Sequence, residues 1–420
     1  MRIEVLCTGD ELLTGLTTDT NSPYFMGKLL DLGEKVAHSQ TVGDVREHII
    51  EALTSVRARA DAVLVSGGLG PTADDLTAEC AAAAAGVPLV ENPEVLAELK
   101  ARFAKRNFPF TPNNARQALI PQGAEVVRNP VGTAPMIIQR IGRCTLFFVP
   151  GVPREYKALV DREVLPRIGA LLEGEPGRVF RAARLLKTIG LAESHLDARV
   201  APLVKTHRQV IFGFRTHAPE NHLKLLAEGS SQREADEALA KAERDCRELL
   251  HPFIFGADQE SFAGVVGALL RERKATVAIA ESCTGGLASE LLTAPAGASD
   301  YFIGSVVAYS NAMKQKWTGV RSETLQKYGA VSREVAVELA EGVRRESSST
   351  YGLSITGIAG PGGGTVEKPV GTVYFALATP EGTQSQHQAM FGDRERIRLF
   401  AAAHALDMLR RHLLGVGPKP

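Results

Sequence analysis

Residues 61–77 read DAVLVSGGLGPTADDLT, an apolar run that stops at a glycine-rich turn and two adjacent aspartates. Two similar runs precede it, IEVLCTG (3–9) and KVAHSQTVG (35–43), and the stretches between the runs, 21–33 and 45–60, carry apolar residues at helical spacing. Alternation of apolar strands with amphipathic helices is typical of a parallel sheet that has helices on both faces. The sequence therefore predicts an α/β first domain with a doubly wound, mostly parallel sheet.

The chain changes character twice after this domain. Three short strands, RAARLLKTIG, QVIFGFRTH and NHLKLLAEG, precede a charged helix, a pattern that favours a small α+β domain of the ferredoxin-like kind with a structural role. From residue 260 onward helices and apolar strands alternate again, which predicts a second α/β domain, and the closing GVGPKP is expected to be loose. The predicted domains are 1–172, 173–257 and 258–415.

Composition excludes several classes of protein. Lys plus Arg number 48, as do Asp plus Glu, and no long basic run occurs, so nucleic acid is not an expected partner. The five cysteines show no CxxC spacing, which indicates reduced thiols. The N-terminus has no signal-peptide pattern, and no apolar stretch approaches the ~20 residues that a membrane span needs. A soluble cytoplasmic protein is therefore expected.

Carboxylates follow the first three predicted strands. Asp10 and Glu11 follow the first, Asp44 the second, and Asp74 and Asp75 the third. Because the carboxyl ends of parallel strands share one edge of a sheet, these side chains are expected to converge there. Carboxylate oxygens are ligands for a hard cation such as Mg²⁺. The alternative is that Gly-Gly and Asp-Asp form only a turn and a helix cap.

The same turn has features of a phosphate site. Gly67 and Gly68 let backbone N–H groups approach an anion closely, because glycine has no Cβ. Thr72 and the following helix N-terminus add hydrogen-bond donors. A metal that bridges the carboxylates and a phosphate could then activate water for hydrolysis of a phosphate ester or pyrophosphate.

The last domain contains a candidate nucleophile. AESCTGG (280–286) ends an apolar strand and begins a helix, so Ser282, Cys283 and Thr284 are expected at the edge of a pocket. Tyr309 and Lys314, in VVAYSNAMK, are candidates for the base, since a lysine whose pKa is lowered by burial can pair with a serine. The alternatives are that Ser282 caps the helix and that Lys314 is a solvated surface residue.

Two further segments suit a nucleotide. SITGIAGPGGGT (354–365) is a strand followed by a glycine-rich loop, with Thr356 at its start. Arg394 and Arg398 are four residues apart, so they share a helix face that can hold a phosphate. Taken alone, the glycine-rich segment could be only a flexible loop.

The motifs together resemble the CinA family, whose first domain is similar to molybdopterin-binding domains. The matching segments of the N-terminal half are TGDELLTG, DTNS, VGD, SGGLGPTADDLT, NPVGTAP and PGVPREY. Those of the C-terminal domain are AESCTGG, YSNAMK, TGIAGPGGG, KPVGTVY and FGDRERIR. The resemblance implies an N-terminal ADP-ribose pyrophosphatase that uses a divalent metal, Mg²⁺ or Co²⁺, and in many members K⁺. It implies a C-terminal nicotinamide mononucleotide amidohydrolase without a cofactor, and a homodimer.

The resemblance also assigns roles by motif position. The implied metal ligands are Asp10, Glu11, Asp44, Asp74, Asp75 and Glu155. The implied binding residues of the first domain are Asn21, Gly67, Gly68, Thr72, Thr77, Asn129 and Thr133. The implied catalytic residues of the last domain are Ser282, Tyr309, Lys314 and Thr356, and its binding residues are Cys283, Thr284, Gly285, Gly360, Gly362, Gly363, Arg394 and Arg398. Met136 and Tyr156 depart from the family pattern, which is expected to alter how the nucleoside end is held.

Two other functions compete with the bifunctional hydrolase. In the first, the N-terminal domain binds a pterin or nucleotide without hydrolysing it, which binding without turnover would indicate. In the second, the chain is an interaction protein of competence, DNA uptake or recombination, for which the neutral charge gives no support.

Overall fold

A computed structural model gives the structure of the chain and describes residues 1–173 and 177–417. The chain divides into two compact units, one of Met1–Ala183 with Ala227–Glu237 and one of Arg184–Leu226 with Ala238–Pro420. The domain boundaries derived from the sequence stay predictions. Part of the tail that is expected to be loose, residues 418–420, lies outside the described residues.

The first domain is built on a mostly parallel sheet. Its strands are β1 (Ile3–Thr8), β2 (His38–Val42), β3 (Ala62–Ser66), β4 (Leu89–Glu91), β5 (Leu119–Pro121), β6 (Glu125–Val127), β7 (Met136–Ile141) and β8 (Cys144–Val149). Six of them form one sheet in the order β2-β1-β3-β8-β7-β6, while β4 and β5 pair separately. The first four strands of that order are parallel, and β7 pairs in an antiparallel manner with both β8 and β6. The turns that follow β1, β2, β3 and β8 therefore lie along one edge.

Helices cover both faces of this sheet. They are α1 (Asp10–Leu13), α2 (Asn21–Asp31), α3 (Arg46–Arg59), α4 (Thr77–Ala85), α5 (Pro93–Lys105), α6 (Pro153–Leu159) and α7 (Leu165–Glu173), with a 3₁₀ segment at Pro112–Ala118 and a π-helical turn at Val160–Val164. Val63 packs in one apolar cluster with Leu53 of α3, and the next strand residue, Leu64, packs in the other with Phe25 of α2. Both faces are apolar because successive strand residues point to opposite sides. The predicted doubly wound organisation is confirmed.

The middle segment is a small α+β domain. Its elements are β9 (Phe180–Ile189), α8 (Glu193–Thr206), β10 (Val210–His217), β11 (Glu220–Gly229), α9 (Gln232–Leu249) and β12 (Ile254–Ala257). The strands are ordered β10-β11-β9-β12. The succession β-α-β-β-α-β is that of the ferredoxin-like kind, as predicted. Helix α8 was not predicted from the sequence.

The last domain is a three-layered α/β structure. Its elements are α10 (Phe262–Glu272), β13 (Val277–Glu281), α11 (Leu287–Thr293), β14 (Phe302–Val307), α12 (Asn311–Thr318), α13 (Ser322–Tyr328), α14 (Arg333–Ser347), β15 (Tyr351–Gly357), β16 (Thr372–Thr379), β17 (Gly382–Ala389) and α15 (Arg394–Leu413). The sheet order is β14-β13-β15-β16-β17. Ile279 of β13 packs with α10, α11 and α15, and its neighbour Ala280 packs with α14 on the other face.

The position of β13 determines where the candidate nucleophile lies. β13 pairs in parallel with both β14 and β15, so the residues after β13 lie between the loops that follow its two neighbours. That edge of a parallel sheet is where α/β proteins bind ligands. Within residues 1–173 and 177–417, no helix is long and apolar enough to cross a membrane.

Candidate active sites

Ser282 and Lys314 are in hydrogen-bond contact. Ser282 directly follows β13, and its amide donates to the Ile355 carbonyl at 2.9 Å, which ties the turn to β15. The Ser310 side chain caps α12 by accepting from the amide of Met313, and this places Lys314 in the first turn of the helix. The Lys314 Nζ then lies 3.0 Å from the Ser282 Oγ.

The environment of Lys314 makes its amine easier to deprotonate than that of an ordinary lysine. The side chain is 1% exposed, and burial lowers its pKa to about 8. Its Nζ also donates to the carbonyls of Ala308 at 2.7 Å and Tyr309 at 3.0 Å. A neutral amine has two N–H groups and one lone pair, so the two carbonyls can hold the hydrogens while the lone pair faces Ser282. In this arrangement a neutral Lys314 could accept the proton of the serine hydroxyl.

Glu281 fixes the turn that carries Ser282. Its carboxylate is fully buried and accepts hydrogen bonds from the amides of Gly286, Ala288 and Ser289 and from the Ser289 hydroxyl, at 2.5–3.2 Å. These bonds hold the turn against the start of α11. Glu281 was not predicted from the sequence. The signal was a lone carboxylate at the end of the apolar strand VAIAE, since a buried charge needs several donors.

Tyr309 does not join Lys314 as a base. The phenol is 60% exposed, and its oxygen accepts from the Arg394 guanidinium at 3.3 Å. Only the main-chain carbonyl of Tyr309 contacts Lys314. Arg394 also donates to the Gly360 carbonyl at 2.7 Å, so it links Tyr309 to the glycine-rich loop. The structure therefore places Tyr309 beside a cation that suits a phosphate or carbonyl group, and of the two predicted bases it is Lys314 that contacts the serine.

Arg398, Thr284 and Cys283 complete the turn. Arg398 follows Arg394 by one helical turn of α15 and donates to the Thr284 carbonyl at 2.8 Å. The Thr284 hydroxyl is buried and has no hydrogen-bond partner among the described residues. Burial raises the pKa of the Cys283 thiol to about 11, which keeps it protonated and unreactive at neutral pH.

Thr356 and the glycines have mainly architectural contacts. The Thr356 hydroxyl is buried and donates to the Ala330 carbonyl at 2.8 Å, before α14, and the described structure shows no hydrogen bond between this hydroxyl and Ser282. A Cβ on Gly360 would lie 2.7 Å from Val370 Cγ1, so this glycine is needed for packing. The other predicted glycines of this domain are exposed: Gly285, Gly362 and Gly363.

The N-terminal turns enclose a cavity of about 440 Å³. Nine predicted residues line it: Glu11, Asn21, Asp44, Gly67, Gly68, Asp74, Asp75, Thr133 and Glu155. The remaining predicted residues are not part of its lining: Asp10, Thr72, Thr77 and Asn129. The structure thus brings most of the predicted set to one edge of the sheet.

Asp10 and Asp44 form a reciprocal pair at the rim. The Asp10 amide donates to Asp44 Oδ2 at 3.0 Å, and the Asp44 amide donates to Asp10 Oδ1 at 3.2 Å. Burial, together with the negative charges of Asp10, Glu11 and Asp74, raises the pKa of Asp44. A cluster of carboxylates that repel one another in this way fits a divalent cation with oxygen ligands.

Several predicted binding residues shape the glycine-rich turn itself. Asp75 accepts from the amides of Gly70 and Thr72 at 2.7 and 2.8 Å and from the Thr72 hydroxyl. It therefore holds the turn, which is the role that the alternative interpretation of this segment, a turn and a helix cap, gives to the aspartates. A Cβ on Gly68 would lie 2.2 Å from Thr77 Oγ1, and Gly68 has a φ of +64°. Gly68 is therefore required by the close approach of the buried Thr77.

Asn129 and Glu155 hold a second wall. The Asn129 side chain donates to Glu155 Oε2 at 2.6 Å and accepts from the amides of Val131 and Gly132 at 3.0 Å. Asn21 donates to the Gly151 carbonyl at 2.7 Å, and its Oδ1 is buried without a partner in the described structure.

Asp19 and Gln117 also line the cavity but were not predicted. Asp19 accepts from the amides of Asn21 and Ser22 at the start of α2, which the segment DTNS could have indicated as a cap. Gln117 comes from the 3₁₀ segment, where no local signal marks it. Met136 and Tyr156 are buried in the core and do not line the cavity. Their positions therefore do not support the expectation that these two residues alter how the nucleoside end of a ligand is held.

Comparison with known proteins places the chain in a family. Residues 259–413 match the CinA C-terminal domain, 4–170 a probable molybdopterin binding domain, and 183–256 the damage-inducible protein CinA KH domain. A CinA-like protein of Myxococcus xanthus is 56% identical over 421 residues, which cover 100% of both chains. The chain belongs to the CinA family. A second CinA-like protein, from an Anaeromyxobacter species, is 47% identical over 98% of both chains.

Solved structures of CinA proteins match part of the chain. The competence/damage inducible protein CihA of Agrobacterium tumefaciens is 38% identical, with 36% of this chain and 93% of that chain covered and a TM-score of 0.35. The protein CinA of Thermoplasma acidophilum is 33% identical, with 40% and 97% covered and a TM-score of 0.38.

Proposed function

We propose that the C-terminal domain of this CinA protein hydrolyses the carboxamide of nicotinamide mononucleotide to nicotinic acid mononucleotide and ammonia. The observation that carries the proposal is the 3.0 Å contact between Ser282 Oγ and the buried amine of Lys314. A serine paired with a lysine of lowered pKa is a recurring device for attack on amides. The substrate itself is inferred from the family resemblance.

The reaction begins with a proton transfer. Neutral Lys314 accepts the hydroxyl proton of Ser282 while the serine oxygen attacks the carboxamide carbon. The carbonyl oxygen becomes an oxyanion, and main-chain donors of the turn that Glu281 holds are suited to stabilise it. Lys314, now an ammonium, returns its proton to the nitrogen as ammonia leaves, and an ester to Ser282 remains.

Water completes the cycle. Lys314 takes a proton from the water that attacks the ester, and the return of this proton to Ser282 Oγ releases nicotinic acid mononucleotide. The 5′-phosphate of the substrate needs cationic donors. Arg394 and Arg398 each donate to one main-chain carbonyl, and their other guanidinium N–H groups can bind the phosphate.

The test is product analysis with the intact protein. Ser282→Ala and Lys314→Met are each expected to lower the rate of ammonia release from nicotinamide mononucleotide by roughly a thousandfold or more. Matched controls are Lys316→Met, an exposed lysine of the same helix, and the exposed Ser322→Ala. Normal deamidation by Ser282→Ala, or none by the wild type, contradicts the proposal.

We propose further that the N-terminal domain hydrolyses ADP-ribose to AMP and ribose 5-phosphate. The support is the cavity, whose carboxylates include Glu11, Asp44 and Asp74 and whose glycine-rich turn offers close approach to a pyrophosphate. These carboxylates would hold Mg²⁺ or Co²⁺, with K⁺ as a further ion. When bound, the metal supplies an activated water and charge neutralisation.

The N-terminal proposal is tested separately. AMP formation from ADP-ribose is measured with Mg²⁺ or Co²⁺, with and without K⁺, in the wild type, in Asp74→Asn and in the exposed control Asp31→Asn. Of these variants, Asp74→Asn is expected to lose activity, whereas Asp31→Asn and Ser282→Ala are expected to keep it.

Binding of ADP-ribose without turnover would favour a passive nucleotide or pterin binder. Salt-dependent DNA binding would favour a role in competence. A cytoplasmic homodimer stays a prediction from the sequence.

A further inference from the structure

Three side chains that commonly bind metals meet at one β-hairpin of the middle domain. His217 is the last residue of β10, Glu220 is the first residue of β11, and His222 follows two residues later. One ligand atom from each side chain lies within 4.8 Å of the other two. The segment HAPENH is outside every motif used for the two proposed activities.

His222 is a buried histidine that has one ring nitrogen beside a carboxylate and the other without a hydrogen-bond partner. The residue is 6% exposed, and its Nε2 lies 2.8 Å from Glu220 Oε2. Its Nδ1 is buried and has no hydrogen-bond partner within the described part of the chain. A buried polar atom without a partner is destabilising, and such atoms are uncommon in folded proteins. With the proton on Nδ1, Nε2 directs its lone pair towards Glu220 Oε2, so a metal can bind between these two atoms in place of the hydrogen bond that now joins them.

His217 supplies a second imidazole on the accessible side. Its ring stacks on that of His222, with centroids 5.3 Å apart and planes inclined by 12°. His217 is exposed, whereas His222 is buried, so one ring is fixed and the other can adjust. Ligand atoms of a tetrahedral zinc site lie roughly 3.3 Å apart, because each bond is about 2.0–2.1 Å long. Rotation of the exposed ring can close the remaining gap.

Neighbouring residues hold the hairpin in place. The Asn221 carbonyl accepts from the Thr188 hydroxyl at 2.7 Å, and the Asn221 side chain donates to the Leu191 carbonyl at 2.7 Å. The main chain between Glu220 and His222 is therefore fixed on the adjacent strand β9. Fixed ligands lower the entropy that is lost when a metal binds.

We propose that His217, Glu220 and His222 form a binding site for a divalent transition metal of the Zn²⁺ or Co²⁺ class. Two imidazoles and one carboxylate suit such ions, whereas Mg²⁺ prefers oxygen ligands alone. Three protein ligands leave a position for water or another small ligand. This site shares no residue with the carboxylate cavity of the first domain and differs from it in having nitrogen ligands, and it does not rest on either proposed activity.

The test is metal content and affinity of the full chain. The protein is stripped of metal, dialysed against Zn²⁺ and analysed for bound metal, and Co²⁺ is titrated while its visible absorption is recorded. To remove the carboxylate cavity as a source of signal, every variant is also made in an Asp44→Asn/Asp74→Asn background. We expect about one equivalent of Zn²⁺ to remain in that background, with affinity unaffected by excess Mg²⁺.

His217→Ala and Glu220→Gln isolate the site. Each is expected to weaken Zn²⁺ binding by on the order of a hundredfold and to remove the Co²⁺ absorption that nitrogen ligands produce. His48→Ala, a change of an exposed histidine elsewhere in the chain, is the matched control and is expected to bind as the wild type does. Because His217 is exposed, its variant is expected to keep the circular dichroism spectrum of the metal-free protein. Equal Zn²⁺ binding by His217→Ala and wild type, or no Zn²⁺ binding in the Asp44→Asn/Asp74→Asn background, overturns the proposal.

Discussion

The pH dependence of deamidation follows from the environment of Lys314. Its pKa is lowered to about 8 by burial, and only the neutral amine can accept the Ser282 proton. About one amine in ten is neutral at pH 7 and about nine in ten at pH 9. The value of kcat/KM for ammonia release should therefore rise about tenfold between pH 7 and pH 9 and level off above pH 9. It should fall as the pH falls through 8, because protonation removes the base.

An unburied lysine would give a different curve. With the ordinary pKa of about 10.4, the neutral fraction would rise about a hundredfold between pH 7 and pH 9 and would still be rising at pH 9. The assay measures ammonia release at low substrate concentration above pH 7, where the phosphate, with its second pKa near 6, no longer titrates. A flat profile would refute Lys314 as the base, and a hundredfold rise would refute the effect of burial. Lys314→Arg, which stays charged, should be inactive throughout.

Three further substitutions test the rest of the account. Glu281→Gln should destabilise the C-terminal domain by about 3 kcal/mol and lower kcat/KM for deamidation, because an amide cannot accept all four hydrogen bonds. Urea unfolding measures the first effect and ammonia release the second. Unchanged stability would contradict the role of Glu281 in holding the turn. Gly68→Ala should lower the free energy of unfolding by about 2 kcal/mol more than Gly123→Ala, because both have a positive φ but only Gly68 meets Thr77; equal losses in urea unfolding would contradict the steric argument. Asp44→Asn should raise the Tm of the metal-free protein, since the raised pKa of Asp44 means that the folded state disfavours its charge. It should also lower AMP formation on the order of a hundredfold and remove the increase in Tm that Mg²⁺ causes; an unchanged response to Mg²⁺ would contradict its place among the ligands.

Periodicity made most of the fold predictable. The strands that end at Thr8, Ser66 and Glu281 are buried on both faces, and glycines in the turns after them mark where they stop. Helix α8 was missed because its signal is weak. It contains Pro202, and of its residues only Leu196 and Val200 are buried, so its sequence lacks a continuous apolar stripe.

The candidate sites were predictable where sequence neighbours determine the geometry. Ser282 and Lys314 follow adjacent parallel strands, so their contact could be anticipated from the motifs. The orientation of Tyr309 could not be, because it depends on Arg394, which comes 85 residues later. The hydrogen bond from Thr356 to Ala330 depends in the same way on a distant loop.

The identity of the atom that attacks the carboxamide is the most direct test. Wild-type protein is mixed with nicotinamide mononucleotide, quenched in acid during turnover and digested, and the peptides are analysed by mass spectrometry. We predict a nicotinoyl mononucleotide ester on Ser282 in the wild type and no such ester in Ser282→Ala. If ammonia is released while the nicotinoyl group is found on Cys283, or is not found on the peptide that contains Ser282, this prediction is wrong.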